Sequence, residues 1–235
     1  MRHRQDIVTI GGRTCTVLAE PDGRGGRLVV QPTDSHDREE MDKEIEYVEA
    51  HTLEPFTLVA VHVDRWFDEL SPWPAPPVFG KTPFGDGAAA TLNFICNSII
   101  PYITQHYNAE IANGDNKGTF SNVIIGGYSL AGLFALWAGC QCAFGGIVAA
   151  SPSVWFPGWT DYARKHPSLA RRVYLSLGDR ETHTKTKIMS TVGDRLNDER
   201  DLLSAQGVSV TLEMNPGNHF QDNGMRMGKG IATLL

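Results

Sequence analysis

Short apolar runs along this chain alternate with longer segments whose apolar residues recur every three or four positions. The first pattern predicts strands and the second predicts helices. Strands are expected at Asp6–Ile10, Arg13–Glu20 and Arg27–Gln31, separated by Gly11-Gly12 and by Asp22-Gly-Arg-Gly-Gly26, and they read as an antiparallel meander. Met41, Ile45 and Val48 share one face of a helix predicted from Ser35 to about Ala50, with charged residues opposite. Phe56–Val63 is almost continuously apolar, as a strand covered on both faces should be. From Gly87 to Tyr107 the residues Leu92, Ile95, Cys96, Ile99, Ile100, Ile103 and Tyr107 keep helical spacing. Pro101 lies inside that pattern and predicts a kink or a second segment. Further strands are expected at Gly146–Ala150, Arg172–Leu177 and Val208–Met214. Helices are expected near Thr160–Lys165, along the stripe Ile188, Val192, Leu196, Glu199 and Leu203, and at the end through Met225, Ile231 and Leu235. Strands alternating with helices after an N-terminal meander predict an α/β fold in one domain over residues 1–235. Its mostly parallel sheet would carry helices on both faces.

Residues 64–86 break this rhythm with five prolines and five large aromatics, a composition that predicts no regular structure. So long a connection is usually functional, and its aromatic content argues against disorder.

Composition narrows the function classes. Hydrophobic residues make up 41% of the 235 and charged residues 20%, as in an ordinary soluble domain. A formal charge of −6 leaves no basic patch for nucleic acid. No apolar run approaches the ~20 residues that span a membrane, so no membrane association is expected. The opening Met-Arg-His-Arg-Gln-Asp is followed by no apolar core of a signal peptide, which predicts a cytoplasmic protein. Cysteines stand at 15, 96, 140 and 142, and the one-residue gap in Cys140-x-Cys142 suits zinc poorly, so free thiols are expected. His62 and Asp64 could share a strand face, but no third ligand has convincing spacing; neither a metal nor a cofactor is expected.

The segment from Ser121 to Trp137 holds the chemistry: a β-branched run, Gly126-Gly-Tyr-Ser-Leu-Ala-Gly132, then an apolar helix. A sharp strand-to-helix turn of this kind pushes a serine hydroxyl, here Ser129, out at the sheet's edge. The helix N-terminus behind it favours developing negative charge. Ala131 replaces the second glycine of the usual G-x-S-x-G, a place that needs only a small residue. The bland alternative is an ordinary glycine-rich βα turn. Later strand ends add an acid, Asp179 or Glu181, and a base, His219, in the chain order of α/β-hydrolases. Serine needs a base within hydrogen-bond reach, imidazole suits neutral pH, and a carboxylate fixes the imidazole tautomer. His62, among apolar neighbours, reads as structural, and His183 as part of a solvated loop.

Four stretches carry a family resemblance: Gly126–Leu136, Ser151-Pro-Ser-Val-Trp155, Leu177-Gly-Asp-Arg-Glu181 and Gly217-Asn-His219. In them the chain resembles the esterase family of α/β-hydrolases that groups esterase D with enterobactin-type siderophore esterases, feruloyl esterases and mycolyltransferases. Ser71-Pro-Trp-Pro-Ala-Pro76 with Phe84-Gly85 is similar to single-domain bacterial members. The resemblance implies an α/β-hydrolase fold and a cofactor-free serine esterase working on a small-molecule ester through an acyl-enzyme. It implies Ser129 as nucleophile, His219 as base and Glu181 as acid, the carboxylate three residues after the loop glycine. The oxyanion hole should use the backbone N–H of Leu130 and one from the loop Gln31-Pro-Thr-Asp34. Pro32 has no N–H, which leaves Thr33 or Asp34. Trp66, Trp73 and Phe79, with Trp155 opposite, are expected to line an apolar acyl or aryl cleft. Acyl transfer to another alcohol and a non-catalytic binding role on the same fold are the alternatives.

Overall fold

A computed structural model describes residues 3–109 and 118–235, so the first two residues of the basic opening lie outside it. The strands are β1 (Arg4–Ile10), β2 (Arg13–Ala19), β3 (Arg27–Thr33), β4 (Phe56–His62), β5 (Thr119–Tyr128), β6 (Ala143–Ala150), β7 (Arg172–Gly178) and β8 (Ser209–Asn215). They form one sheet in the order β1-β2-β4-β3-β5-β6-β7-β8. Pairing is antiparallel between β1 and β2 and between β2 and β4, and parallel from β4 through to β8. This is an α/β-hydrolase sheet.

One strand departs from the meander. β3 leaves the β1–β2 hairpin and pairs in parallel with both β4 and β5. Leu28, Val29 and Val30 are fully buried, and an unbroken apolar run fits a central parallel strand better than an edge of a meander.

Alternate residues feed two apolar layers. Leu58 and Ala60 of β4 and Ile124 of β5 face one layer with Met41, Ile45, Val48, Met227, Ile231 and Leu234. Those residues come from α2 (Met41–His51) and, further along the chain, from the last helix, Asn223–Leu234. Val59, Val61, Val123 and Ile125 face the other layer, with the remaining long helices. Helices thus cover both faces, as the strand-helix alternation predicts.

Three helical readings change in detail. The helix expected from Ser35 divides at Glu40 into α1 (Ser35–Glu39), which buries nothing, and α2, which buries its apolar stripe. Asp34 gives α1 its own capping box with Asp37. In the loop expected to lack regular structure, α3 (Trp66–Glu69) forms one turn and Ala75 bridges Phe84. Between α4 (Ala88–Phe94) and α5 (Ile100–Tyr107) the helix widens over Ile95–Ile99, where Ile100 N–H donates to Ile95, five residues back. Pro101 has no N–H for the ordinary four-residue step, so the wider turn sits directly before it.

After α6 (Leu130–Gly139) come α7 (Trp159–Lys165), α8 (Val192–Ala205) and α9 (Asn223–Leu234). On α9, which carries Met225 and Ile231 as expected, Met225 is exposed and the neighbouring Arg226 is buried. The four cysteines are free thiols, and Cys96 and Cys142 share a hydrogen bond. Among the described residues no helix is long and apolar enough to cross a membrane.

Glu199 interrupts the apolar stripe of α8 because its Oε2 accepts the indole N–H of Trp159 at 2.9 Å. Burial pushes its carboxyl up to about 7, and the Trp159 hydrogen bond only partly offsets this. The folded chain therefore holds that proton more tightly than the unfolded chain, and stability falls as pH rises from about 4 to about 7. Glu199→Gln keeps an acceptor for Trp159 and removes the titration. Urea unfolding should give similar stabilities at pH 4.5, with the variant ahead at pH 8.5 by up to about 3 kcal/mol. Curves that stay parallel across that range would refute this account.

Candidate active site

β5 runs without a break into Ser129, whose φ of +57° and ψ of −118° turn the chain straight into α6. An L-residue adopts such angles only when its surroundings hold it there. Here Ser129 N–H donates to the Ala150 carbonyl at 3.0 Å, and the Ser129 carbonyl accepts from Leu133 at 3.2 Å and Ser153 at 3.0 Å. A side chain at Gly127 would place its Cβ 2.5 Å from that of Ala131, so the tight turn requires glycine there. Leu130 is the first residue of α6, and its N–H has no acceptor within the helix.

The ends of β7 and β8 bring two more side chains to this serine. His219 Nε2 lies 2.9 Å from Ser129 Oγ, and His219 Nδ1 lies 2.7 Å from Glu181 Oε2. Asp179 does a different job. Its Oδ1 accepts the Gly217 N–H at 2.9 Å and its own N–H donates to the Asn215 carbonyl at 2.8 Å, which ties the two loops together. Of the two acids left open by the spacing, Glu181 is the one that reaches the imidazole.

The second oxygen of Glu181 is held as firmly as the first. Oε1 accepts from Ser151 Oγ at 2.7 Å, Gly178 N–H at 2.7 Å and Arg226 Nη1 at 2.8 Å. Arg226 is 1% exposed and also donates to Tyr128 Oη and to the carbonyls of Pro216 and Asn218. Tyr128 Oη in turn donates to the His219 carbonyl at 2.9 Å. Burial pushes the Glu181 carboxyl up. Its bond to His219, the imidazole's charge, and the bonds from Ser151 and Gly178 outweigh that and hold it below the usual carboxylate range.

A cavity of about 470 Å³ opens in front of Ser129. Trp66 and Phe79 from the 64–86 loop and Trp155 from the segment after β6 line it, together with Phe84, Leu130 and Phe220. Trp73 is not there. Its indole N–H donates to the Pro157 carbonyl at 2.9 Å and its ring packs on Phe156 and Tyr162. A satisfied indole N–H and two ring partners hold it to the α7 side, where it fastens the loop to the body. Thr33 also stays out of the cavity. It is buried in β3 opposite His62, with its carbonyl accepting from Val63 N–H, so in the parallel ladder its own N–H faces β4 as well. Asp34, the next residue, lines the cavity.

The sequence reading missed Arg226, Ser151 and Tyr128. Ser151 and Tyr128 lie inside quoted motifs without a role, and Arg226 stands in Met-Arg-Met-Gly among apolar and glycine positions. A lone guanidinium on an otherwise buried helix face is the signal for a buried charge partner. His62 behaves as read, with Nε2 at 2.9 Å from Thr16 Oγ1. No cluster of three or more His, Cys, Asp or Glu able to hold a metal occurs among the described residues.

No protein-family model matches the chain, and no curated protein matches by sequence. Solved structures do share its fold. The siderophore hydrolase EstA from Aspergillus nidulans superposes with a TM-score of 0.67 at 16% identity, over 99% of this chain and 94% of that one. The fluorophosphonate-binding serine hydrolase FphF of Staphylococcus aureus gives 0.68 at 12% identity, over 100% and 99%. The enterobactin esterase FES of Shigella flexneri gives 0.65 at 17% identity, over all of this chain and 59% of that one. The chain thus has the fold of siderophore and other esterases, as its motifs imply.

Removing the guanidinium should be costly because it would leave Glu181 buried without its cation. Arg226→Met is expected to lower unfolding free energy by about 3–5 kcal/mol at pH 7. Glu181→Gln in the same background should recover part of that loss. A denaturant series on the two single variants and the double variant reads this. Additive losses would mean that the two groups do not depend on one another.

Proposed function

We propose that this protein is a serine carboxylic-ester hydrolase that acts on a small-molecule ester through an acyl-enzyme, without a cofactor. The observation that carries the reading is the unbroken run of hydrogen bonds from Ser129 Oγ through His219 to Glu181. His219 Nε2 takes the Ser129 proton as Oγ attacks the ester carbonyl, and the charged Glu181 stabilises the imidazolium that forms. The tetrahedral oxyanion sits at the α6 N-terminus, facing the Leu130 N–H; the Thr33 N–H faces β4 and the Asp34 N–H donates to Asp37 Oδ2 in the α1 capping box. Collapse breaks the bond to the alcohol oxygen, which leaves with the proton from Nε2. Water, deprotonated by the same imidazole, then releases the acid and restores Ser129. The shared fold with esterases supports the reaction class. The aromatic walls of the cavity support an apolar acyl group, and its volume suits a small ester.

Ser129→Ala should lower kcat on p-nitrophenyl esters at least about a thousandfold with unchanged folding, and a fluorophosphonate should label Ser129 in the parent chain alone. Labelling elsewhere, or a variant retaining a tenth of the activity, would place the nucleophile at another residue.

Glu181→Gln should cost on the order of 10³- to 10⁴-fold in kcat because the amide stabilises the wrong imidazole tautomer. Asp179→Asn should act mainly on thermal stability through the loop it ties down. The opposite ranking in steady-state kinetics would hand the acid's role to Asp179.

For the cleft, Trp66→Ala should raise KM for benzoate esters about tenfold and spare acetate esters. Trp73→Ala should lower Tm and leave that selectivity alone. If both variants shift selectivity equally, the cleft extends to Trp73.

A further inference from the structure

The cleft does not end at His219. Beyond the imidazole lies a second cavity of about 460 Å³, and Trp155, Thr184, Met189, His219 and Phe220 line both. The two cavities form one groove with His219 at the divide.

Charge separates sharply along that groove. Among the described residues, the only acids on the Ser129 side are Asp34 and Asp37, and no lysine or arginine lines the wall. On the far side stand Arg180, His183 and Lys185. The one acid there among the described residues, Glu181, is already engaged by Arg226 and His219. Arg180 leans toward the His219 loop through a neutral partner, donating to Gln221 Oε1 at 3.2 Å. Its nearest carboxylate, Asp179, lies 3.9 Å away and is held by the Gly217 N–H. On a chain with a formal charge of −6, a groove end lined by net positive charge runs against the overall sign.

Chemistry fixes which half of the substrate meets this charge. His219 Nε2 must protonate the departing oxygen, so the alcohol lies on the imidazole side. The carbonyl oxygen must face the α6 N-terminus, so the acyl group lies on the aromatic side.

We propose that the cationic lobe is the alcohol subsite, and that the preferred substrates are esters of an alcohol bearing a carboxylate or a phosphate. This rests on the hydrolase reading. A guanidinium fork matches either anion in two-pronged fashion, and an ammonium adds a point charge. Both groups stand at the rim, where they attract an incoming anion while the apolar acyl half enters the aromatic lobe.

The test uses benzoate esters of butan-1-ol, 4-hydroxybutanoate and 3-hydroxypropyl phosphate, so that only the alcohol's charge and its carrier change. For the intact chain, kcat/KM should be higher for at least one anionic ester than for the butyl ester, and the winning arm tells carboxylate from phosphate. Arg180→Gln and Lys185→Gln should each cut the anionic-to-neutral ratio about fivefold. Lys187→Gln, the same charge change on the same loop but outside both cavities, should leave the ratio within about twofold. A ratio at or below one in the intact chain, or an equal loss in all three variants, would overturn the proposal while ester hydrolysis stands. No turnover of any ester together with no fluorophosphonate labelling would overturn the hydrolase reading, and this proposal with it.

Discussion

Glu181 gives one oxygen to His219 and the other to Ser151, Gly178 and Arg226, and it does so almost completely out of water. A buried carboxylate stays charged only when its donors outweigh the loss of solvent, and here four of them do. Arg226 is the costly member, since its guanidinium is buried too. The arginine spreads its charge over a tyrosine, a serine and two carbonyls of the loop that carries His219. One side chain on α9 therefore braces both the acid and the loop that carries the imidazole.

That network explains why the residues of three strand ends can act as a unit. Each of β5, β6 and β7 ends at a residue that bonds sideways to the next: Ser129 N–H to Ala150, Ser151 N–H to Ser176, and Asp179 N–H to Asn215 of β8. These bonds hold the turns to one another at the carboxyl edge. Strain at Ser129 is stored in a lattice of backbone bonds rather than in a flexible loop. The floor of the site is thus tied together by backbone bonds, with the 64–86 loop and residues 180–189 above it.

The upper walls are built differently. Phe67, Phe79, Phe84, Trp155 and Phe156 meet edge to face, which lets a proline-rich segment with little regular structure keep a defined shape. Trp73 belongs to this fastening and not to the cleft. On the other wall, Arg180, His183, Thr184 and Lys185 contribute polar and cationic side chains. One wall thus supplies apolar surface and the other supplies charge, with the imidazole between them.

Local pattern alone was enough for the elements, the elbow and the chain order of serine, acid and base. Apolar periodicity, a glycine two residues before Ser129 and a helix-forming run after it are short-range constraints, and they are written in neighbouring residues. Pairing was not. β3 reads locally like a third strand of a meander, yet it lies at the centre of the sheet, because strand neighbours are chosen by burial on both faces and by crossover geometry. The choice of Glu181 over Asp179 at the imidazole, the withdrawal of Trp73 and Thr33 from the cleft and the buried arginine under the acid likewise came from contacts between distant segments. Arg226 stands 45 positions from Glu181, and Trp73 is 84 from the carbonyl that holds it. Such contacts join elements far apart in the chain, so only the folded arrangement of the whole sheet could decide them.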